Sequence, residues 1–175
     1  MINKDYKLKS KEEIDNDITN SFFDLIKNTE TSSIIKIDLT KTNDKSIKEY
    51  NFRLRKMFNT IRKNHKEKKF DYLFVIEIPE SISNVKYMIT KDEIKYHSHI
   101  VLNTNISNID LLKEIKQHFN ELETYYIYNT KSKKNNPDLY LEEITNRKDK
   151  MNYYNYLIKQ STLSNYSYNY KIKKS

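Results

Sequence analysis

Apolar and polar residues alternate along the chain with two periods, which predict strands and helices. A two-residue period rich in branched side chains predicts a strand, and a three- to four-residue period predicts an amphipathic helix. The predicted strands are 34–40, 70–78, 96–103, 125–128 and 139–144, and the predicted helices are 46–65, one beginning at 108, and 147–161. This order predicts an α+β fold, in which helices pack on one face of an antiparallel sheet and the opposite face is left for an active site.

The same patterns divide the chain into three parts. Residues 1–30 are polar apart from one apolar helical stripe, which predicts an appended N-terminal helix. Residues 31–162 hold all the predicted strands and form the main domain. Residues 163–175 are rich in tyrosine and lysine without periodicity, which predicts a flexible basic tail.

The segment from Tyr96 to Asn103 contains a histidine pair, His97 and His99, on a predicted strand. Residues two apart on a strand point to the same face, so the two imidazoles can lie side by side while Ser98 faces the core. Imidazole is the commonest metal ligand among protein side chains. The pair is therefore a candidate metal site, although two solvent-facing histidines on an edge strand would give the same pattern.

The preceding strand offers a third ligand in Glu77. Phe74, Ile76 and Ile78 define the core face of that strand, so Glu77 belongs to the opposite face. Parity on the first strand likewise puts Asp38 on the polar face. Two imidazoles and a carboxylate suit Mg²⁺ or Mn²⁺ that engages phosphate oxygens, and zinc also accepts these ligand types.

The last predicted helix carries a Tyr-x-x-Lys pattern formed by Tyr156 and Lys159. Residues three apart on a helix are neighbours, and a cation beside a phenol favours the phenolate. Tyr156 is thus the candidate nucleophile, with Tyr153 as the alternative one turn earlier. Taken alone, the Tyr-x-x-Lys pattern is better explained by simple packing, because the chain has 15 tyrosines.

Composition narrows the range of functions. The chain of 175 residues has a net charge of +8, which favours a polyanionic partner such as nucleic acid, although AT-rich codons also supply lysine. The absence of cysteine excludes disulfides and thiolate metal sites, and the absence of glycine excludes a phosphate-binding loop of the Walker type. No apolar run is long enough to span a membrane, so we expect a soluble, cytoplasmic protein without a membrane partner.

The order of the motifs resembles the HUH endonuclease superfamily, specifically the rolling-circle replication initiators (Rep proteins) of plasmids and small single-stranded DNA viruses. The resemblance rests on Asp-Leu-Thr ending the first strand, Glu77, the histidine pair, and Tyr156 with Lys159 on a late helix. It covers about residues 33–161. Ser98 departs from the family, which usually has a hydrophobic residue between the histidines, and the usual glycines are missing.

The resemblance implies a function, a site and partners. His97, His99 and Glu77 would bind Mg²⁺ or Mn²⁺, and Tyr156 would attack single-stranded or hairpin origin DNA. The product is a 5′-phosphotyrosine link with a free 3′-OH that starts rolling-circle DNA replication. Lys159 would orient the phosphate, and a host helicase and polymerase would complete synthesis.

Two other functions fit the same residues. A single-tyrosine HUH transposase also has a late tyrosine, often followed four residues later by a glutamine, which Gln160 matches. A non-catalytic nucleic-acid-binding protein of the RRM type would share the strand order and bind bases on exposed aromatic residues of the sheet. The order of histidines before tyrosine disfavours a conjugative relaxase.

Overall fold

The computed structural model of the chain is an α+β fold built on one mixed sheet. It describes residues 10–27, 29, 31–39, 44, 46–77, 96–123, 125–127, 138–163 and 170–173. Residues 78–95, between the second and third predicted strands, and residues 128–137, between the fourth and fifth, lie outside these ranges. Within them, the side chains of Glu77, Tyr156, Lys159 and Gln160 are also outside what the structure describes, although their backbones belong to a strand or a helix.

Six strands form the sheet in the order β4-β5-β1-β3-β2-β6. They are β1 (Ser33–Leu39), β2 (Phe70–Glu77), β3 (His97–Thr104), β4 (Tyr125–Ile127), β5 (Leu139–Glu143) and β6 (Tyr170–Lys173). Every neighbouring pair is antiparallel except β4 and β5, which are parallel. The histidine-bearing strand β3 therefore lies at the centre, between β1 and β2.

The described residues form four helices, two on each face of the sheet. They are α1 (Lys11–Lys27), α2 (Ile47–Asn64), α3 (Asn108–His118) and α4 (Arg147–Leu163). The apolar residues that give α2 its three- to four-residue period are buried, and Ser46 begins that helix by accepting a hydrogen bond from the Glu49 backbone N–H at 3.2 Å. The five predicted strands and the three predicted helices of the main domain are present within a few residues of their predicted ends.

Two hydrophobic cores follow from the alternation of side chains along the strands. One face of the sheet packs against α2 and α3 through residues such as Ile37, Phe74 and Leu102. The other face packs against α1 and α4. Its cluster contains Ile34, Leu73, Val75 and Val101 from the strands, Ile14, Ile18, Phe22 and Leu25 from α1, and Tyr153 and Leu157 from α4.

The prediction of helices on only one face is therefore wrong. Leu73, Val75 and Val101 are apolar residues at alternate positions on the second face, and α1 with α4 removes them from water. On this second face, Lys36 and Asp38 of β1 and Glu142 of β5 line a cleft at the start of α4. Because the central strands are apolar on both faces, each face needs its own helical layer.

Two predictions about the chain termini also change. The helix in residues 1–30 is not an appendage, since Ile18 and Phe22 of α1 are fully buried against the sheet and α4. The tail predicted to be flexible includes β6, which pairs with β2 from Tyr72–Lys173 to Val75–Tyr170. Helix α1 and strand β6 therefore belong to the folded domain, and the predicted boundaries at residues 30 and 162 do not separate these two elements from it.

Candidate active site

The two histidines of β3 lie next to each other on the sheet face that packs against α1 and α4. Their ring centroids are 5.2 Å apart and the ring planes are nearly perpendicular, at 84°. His99 is 3% exposed, whereas His97 is partly exposed. Ser98 points to the opposite core, where its hydroxyl lies 2.8 Å from that of Tyr50. The parity predicted from the sequence is confirmed.

An aspartate of the neighbouring strand orients His99. Asp38 on β1 is the register partner of His99, and its Oδ1 lies 2.7 Å from Nδ1 of the imidazole. A carboxylate only accepts hydrogen bonds, so this contact puts a proton on Nδ1, and in the neutral imidazole the lone pair then lies on Nε2. In many metal sites, a carboxylate that does not touch the metal accepts a hydrogen bond from a ligating histidine and so fixes its tautomer. Asp38 and His99 have the geometry of such a pair.

Tyr153 on α4 completes a chain of three polar side chains. Its hydroxyl donates a hydrogen bond to the same Oδ1 of Asp38 at 2.9 Å, and it lies 3.4 Å from the backbone oxygen of Ile100. The ring is 6% exposed and packs in the core between α4 and the sheet. Tyr153 thus connects helix α4 to the strand that carries the histidine pair.

The remaining predicted residues can be located only by their backbones. Glu77 is the register partner of His97, and directly opposed residues of antiparallel strands share a face of the sheet. Tyr156 and Lys159 lie on α4, one and almost two turns beyond Tyr153. The side chains of these three residues lie outside the part of the chain that the structure describes, so only the positions of their backbones relate them to the histidines.

The described side chains suit a divalent metal in their chemistry, because two imidazoles share a face and one is held by a carboxylate. Among those side chains, no group of three or more His, Asp or Glu residues is arranged to hold a metal ion. A metal site with a third protein ligand would need a residue outside this set, and the register with His97 makes Glu77 the candidate. The Asp38 oxygen that bonds to His99 is already used by two donors, which favours an outer role for Asp38.

A cleft of about 410 Å³ adjoins this network at the start of α4. Asp38 and Tyr153 line it together with Lys36, Glu142, Ile144, Asp149 and Asn152. Lys36 pairs with Glu142 at 2.6 Å, and its Nζ lies 4.9 Å from the centroid of the Tyr140 ring. The paired lysine and the carboxylates leave the described lining without a surplus of positive charge.

Sequence reasoning identified the histidine pair but not the partner of His99. The alternation of residues along the first strand had placed Asp38 on the face of the histidines, and this was the only sign in the sequence that it could contact them. The pairing of Asp38 with His99 depends on the register between β1 and β3, which joins residues 61 positions apart. The role of Tyr153 depends in the same way on how α4 packs across the sheet, because 115 residues separate it from Asp38.

Comparisons with protein-family models, characterised proteins and solved structures find no match to this chain. In the described part of the chain, no helix is both long enough and apolar enough to cross a membrane.

Proposed function

We propose that this chain is a metal-dependent endonuclease of the HUH type that nicks single-stranded DNA with a tyrosine and initiates rolling-circle replication. The observation that carries the proposal is the arrangement of His97 and His99 side by side on the central strand, with Asp38 fixing the tautomer of His99. The helix that contains the candidate nucleophile packs on the same face. The central positions of β1 and β3 support the assignment, since the first strand and the histidine strand must be adjacent for this contact.

The protein's own groups divide the work between binding and attack. Nε2 of His99, together with His97 and the Glu77 carboxylate, would hold Mg²⁺ or Mn²⁺. The bound ion would polarise the scissile phosphate. Lys159 would orient that phosphate from α4 and oppose the negative charge that develops during attack.

Tyr156 is the proposed nucleophile. Its phenolic oxygen forms a bond to phosphorus while the bond from phosphorus to the preceding 3′ oxygen breaks, and the phenolic proton passes through water to that oxygen. The products are a 5′-phosphotyrosine link and a 3′-OH that a polymerase can extend.

Tyr153 is proposed as a positioning residue rather than as the nucleophile. Its ring is almost fully buried and its hydroxyl is held by Asp38, whereas an attacking oxygen must reach a phosphorus atom on a bound strand. The hydrogen bonds from Tyr153 and His99 to one carboxylate oxygen fix the position of Asp38. This arrangement supports the imidazole without placing the Tyr153 oxygen in the reaction.

The structure bears differently on the two alternative functions. A non-catalytic binder of the RRM type stacks bases on the exposed face of its sheet, but here α1 and α4 cover the central part of that face. A single-tyrosine transposase uses the same histidine and tyrosine chemistry, and an exchange of tyrosine helices between two protomers would distinguish it. The initiator is proposed because Lys159 follows Tyr156 at the spacing of that class.

The test is the formation of a covalent adduct. The purified chain is incubated with Mn²⁺ and a pool of labelled single-stranded and hairpin oligonucleotides, and the products are separated on a denaturing gel. The wild-type chain and Tyr153→Phe should form an adduct, and Tyr156→Phe should not. An adduct retained by Tyr156→Phe and lost in Tyr153→Phe would reassign the nucleophile, and binding without any adduct would reject the endonuclease.

A further inference from the structure

The outward face of α2 is a basic stripe that contains an exposed phenylalanine. We call this surface the α2 stripe; it consists of Lys48, Phe52, Arg55, Lys56, Asn59 and Lys63, all of which are exposed. Their spacing of three or four residues puts them on one side of the helix. Phe52 is 69% exposed, although burying a large apolar side chain away from water lowers the free energy of the protein.

The positive charge is concentrated on α2 and is not shared by α1. Helix α2 has six basic residues and one acidic residue, whereas α1 has five acidic residues and two basic ones. A genome that favours lysine codons would enrich both helices alike. The difference between two helices on opposite faces of one sheet therefore indicates that the basic surface is specific to α2.

The cations of the stripe are not neutralised by neighbouring acids within the described residues. The inward-turned Arg53 does pair with Asp44 and Glu121 and lies over the Phe119 ring, and Arg62 donates to the backbone oxygen of Phe70. By contrast, Lys48, Lys56 and Lys63 have no ion pair in the part described, and Arg55 donates only to the Asn51 side chain. Arg53 and Arg62 thus hold parts of the fold together, whereas the lysines and Arg55 of the stripe face solvent.

We infer that the α2 stripe binds a single-stranded polynucleotide, with its phosphates on the lysines and Arg55 and one base stacked on Phe52. Cations that follow a backbone and an aromatic ring on which a base stacks are the two elements by which proteins bind single strands without reading sequence. A helix of 18 residues is about 27 Å long, so the stripe contacts several successive nucleotides. Duplex DNA fits less well, because its bases are already stacked and do not need Phe52.

The stripe is separate from the candidate active site. Helix α2 covers the face formed by Ile37, Phe74 and Leu102, while His97 and His99 belong to the opposite face. A strand on α2 therefore cannot contact the histidines at the same nucleotide. The stripe would hold a more distant segment of the strand, and its binding should not require a divalent metal.

The test measures binding of a fluorescent oligothymidine by anisotropy in EDTA, so that no nicking occurs. Phe52→Ala should weaken binding about tenfold, which is the usual loss when one stacking ring is removed. Ile109→Ala is the matched control, because Ile109 is a 63% exposed apolar residue on α3, and it should bind as the wild type does. Phe52→Trp keeps a stacking ring and should retain affinity.

A second arm separates stacking from charge. Lys48→Ala and Lys56→Ala should each reduce the slope of log affinity against log salt by about 0.7, and Lys27→Ala on α1 should leave it unchanged. An oligonucleotide with abasic sites should bind the wild type more weakly and show no further loss with Phe52→Ala.

The inference is overturned if Phe52→Ala and Ile109→Ala bind alike, or if a duplex of equal charge binds as tightly and without dependence on Phe52. Neither result bears on the histidine site.

Discussion

The Nδ1 atom of His99 lies 2.7 Å from Oδ1 of Asp38, a residue 61 positions earlier in the chain. The contact crosses from β3 to β1 and involves an imidazole that is almost wholly buried. A hydrogen bond in this position selects which ring nitrogen is protonated. The candidate metal site therefore depends on a residue of the first strand as well as on the histidine pair.

The first prediction concerns Asp38→Asn, which removes the charge and lets the side chain donate as well as accept. Loss of such an outer partner typically costs 10- to 100-fold in metal affinity, so Mn²⁺ should bind at least about tenfold more weakly by calorimetry. The nitrogen chemical shifts of His99 should also show a mixture of tautomers. Glu142→Gln removes an equal charge from the same cleft and should leave both measurements unchanged; equal effects of the two variants would contradict the role of Asp38.

The second prediction concerns Tyr153→Phe, which removes the hydroxyl that holds Asp38. The free energy of unfolding should fall by about 1 kcal/mol, because a largely buried hydrogen bond is lost without a change in volume. Urea denaturation measures this. The double variant with Asp38→Asn should cost less than the sum of the two single variants, since both disrupt one network. Strict additivity would show that the Tyr153 hydroxyl does not act through Asp38.

The third prediction compares two buried tyrosines. The Tyr72 hydroxyl has no hydrogen-bond partner among the described atoms, whereas that of Tyr50 lies 2.8 Å from Ser98 Oγ. Tyr72→Phe should therefore be neutral or stabilising by up to about 1 kcal/mol, and Tyr50→Phe should destabilise by about 1 kcal/mol. Thermal or urea unfolding of the two variants checks this, and equal destabilisation would contradict it.

The fourth prediction is a loss of stability at alkaline pH. Burial raises the pKa of Tyr50, Tyr72 and Tyr96 above the ordinary tyrosine value. The unfolded chain then releases these protons first, near pH 10, so the stabilisation is present below about pH 10 and is lost as pH rises above it. Urea unfolding on either side of about pH 10 should show the decline, and Tyr50→Phe should make it shallower. A flat profile would indicate that the phenols ionise alike in both states.

The fifth prediction tests whether α1 belongs to the domain. Ile18 is fully buried, and its replacement by alanine should cost about 2–5 kcal/mol, as removal of a packed aliphatic side chain does. Ile109→Ala, at an exposed position, should cost much less. A cost for Ile18→Ala no larger than that control would support an appended helix instead.

The sequence alone predicted the elements of the central domain, because periodicity reports which side of a strand or helix is buried. The buried apolar face of α2, the strand positions of His97 and His99, and the opposite direction of Ser98 all follow from local alternation. It did not predict the helical layer on the second face. Residues such as Leu73 and Val101 look like ordinary strand formers, and the sequence does not say which helix will cover them.

Only the tertiary structure decided which residues meet. Asp38 reaches His99 through the register of β1 and β3, and Tyr153 reaches Asp38 because α4 packs across both strands. Residues 170–173 form β6 because β2 offers them an edge to pair with. Periodicity is a property of neighbours along the chain, so the sequence predicts the strands and helices. Register and helix packing are set by the burial of distant surfaces against each other, so only the tertiary structure decides which residues are in contact.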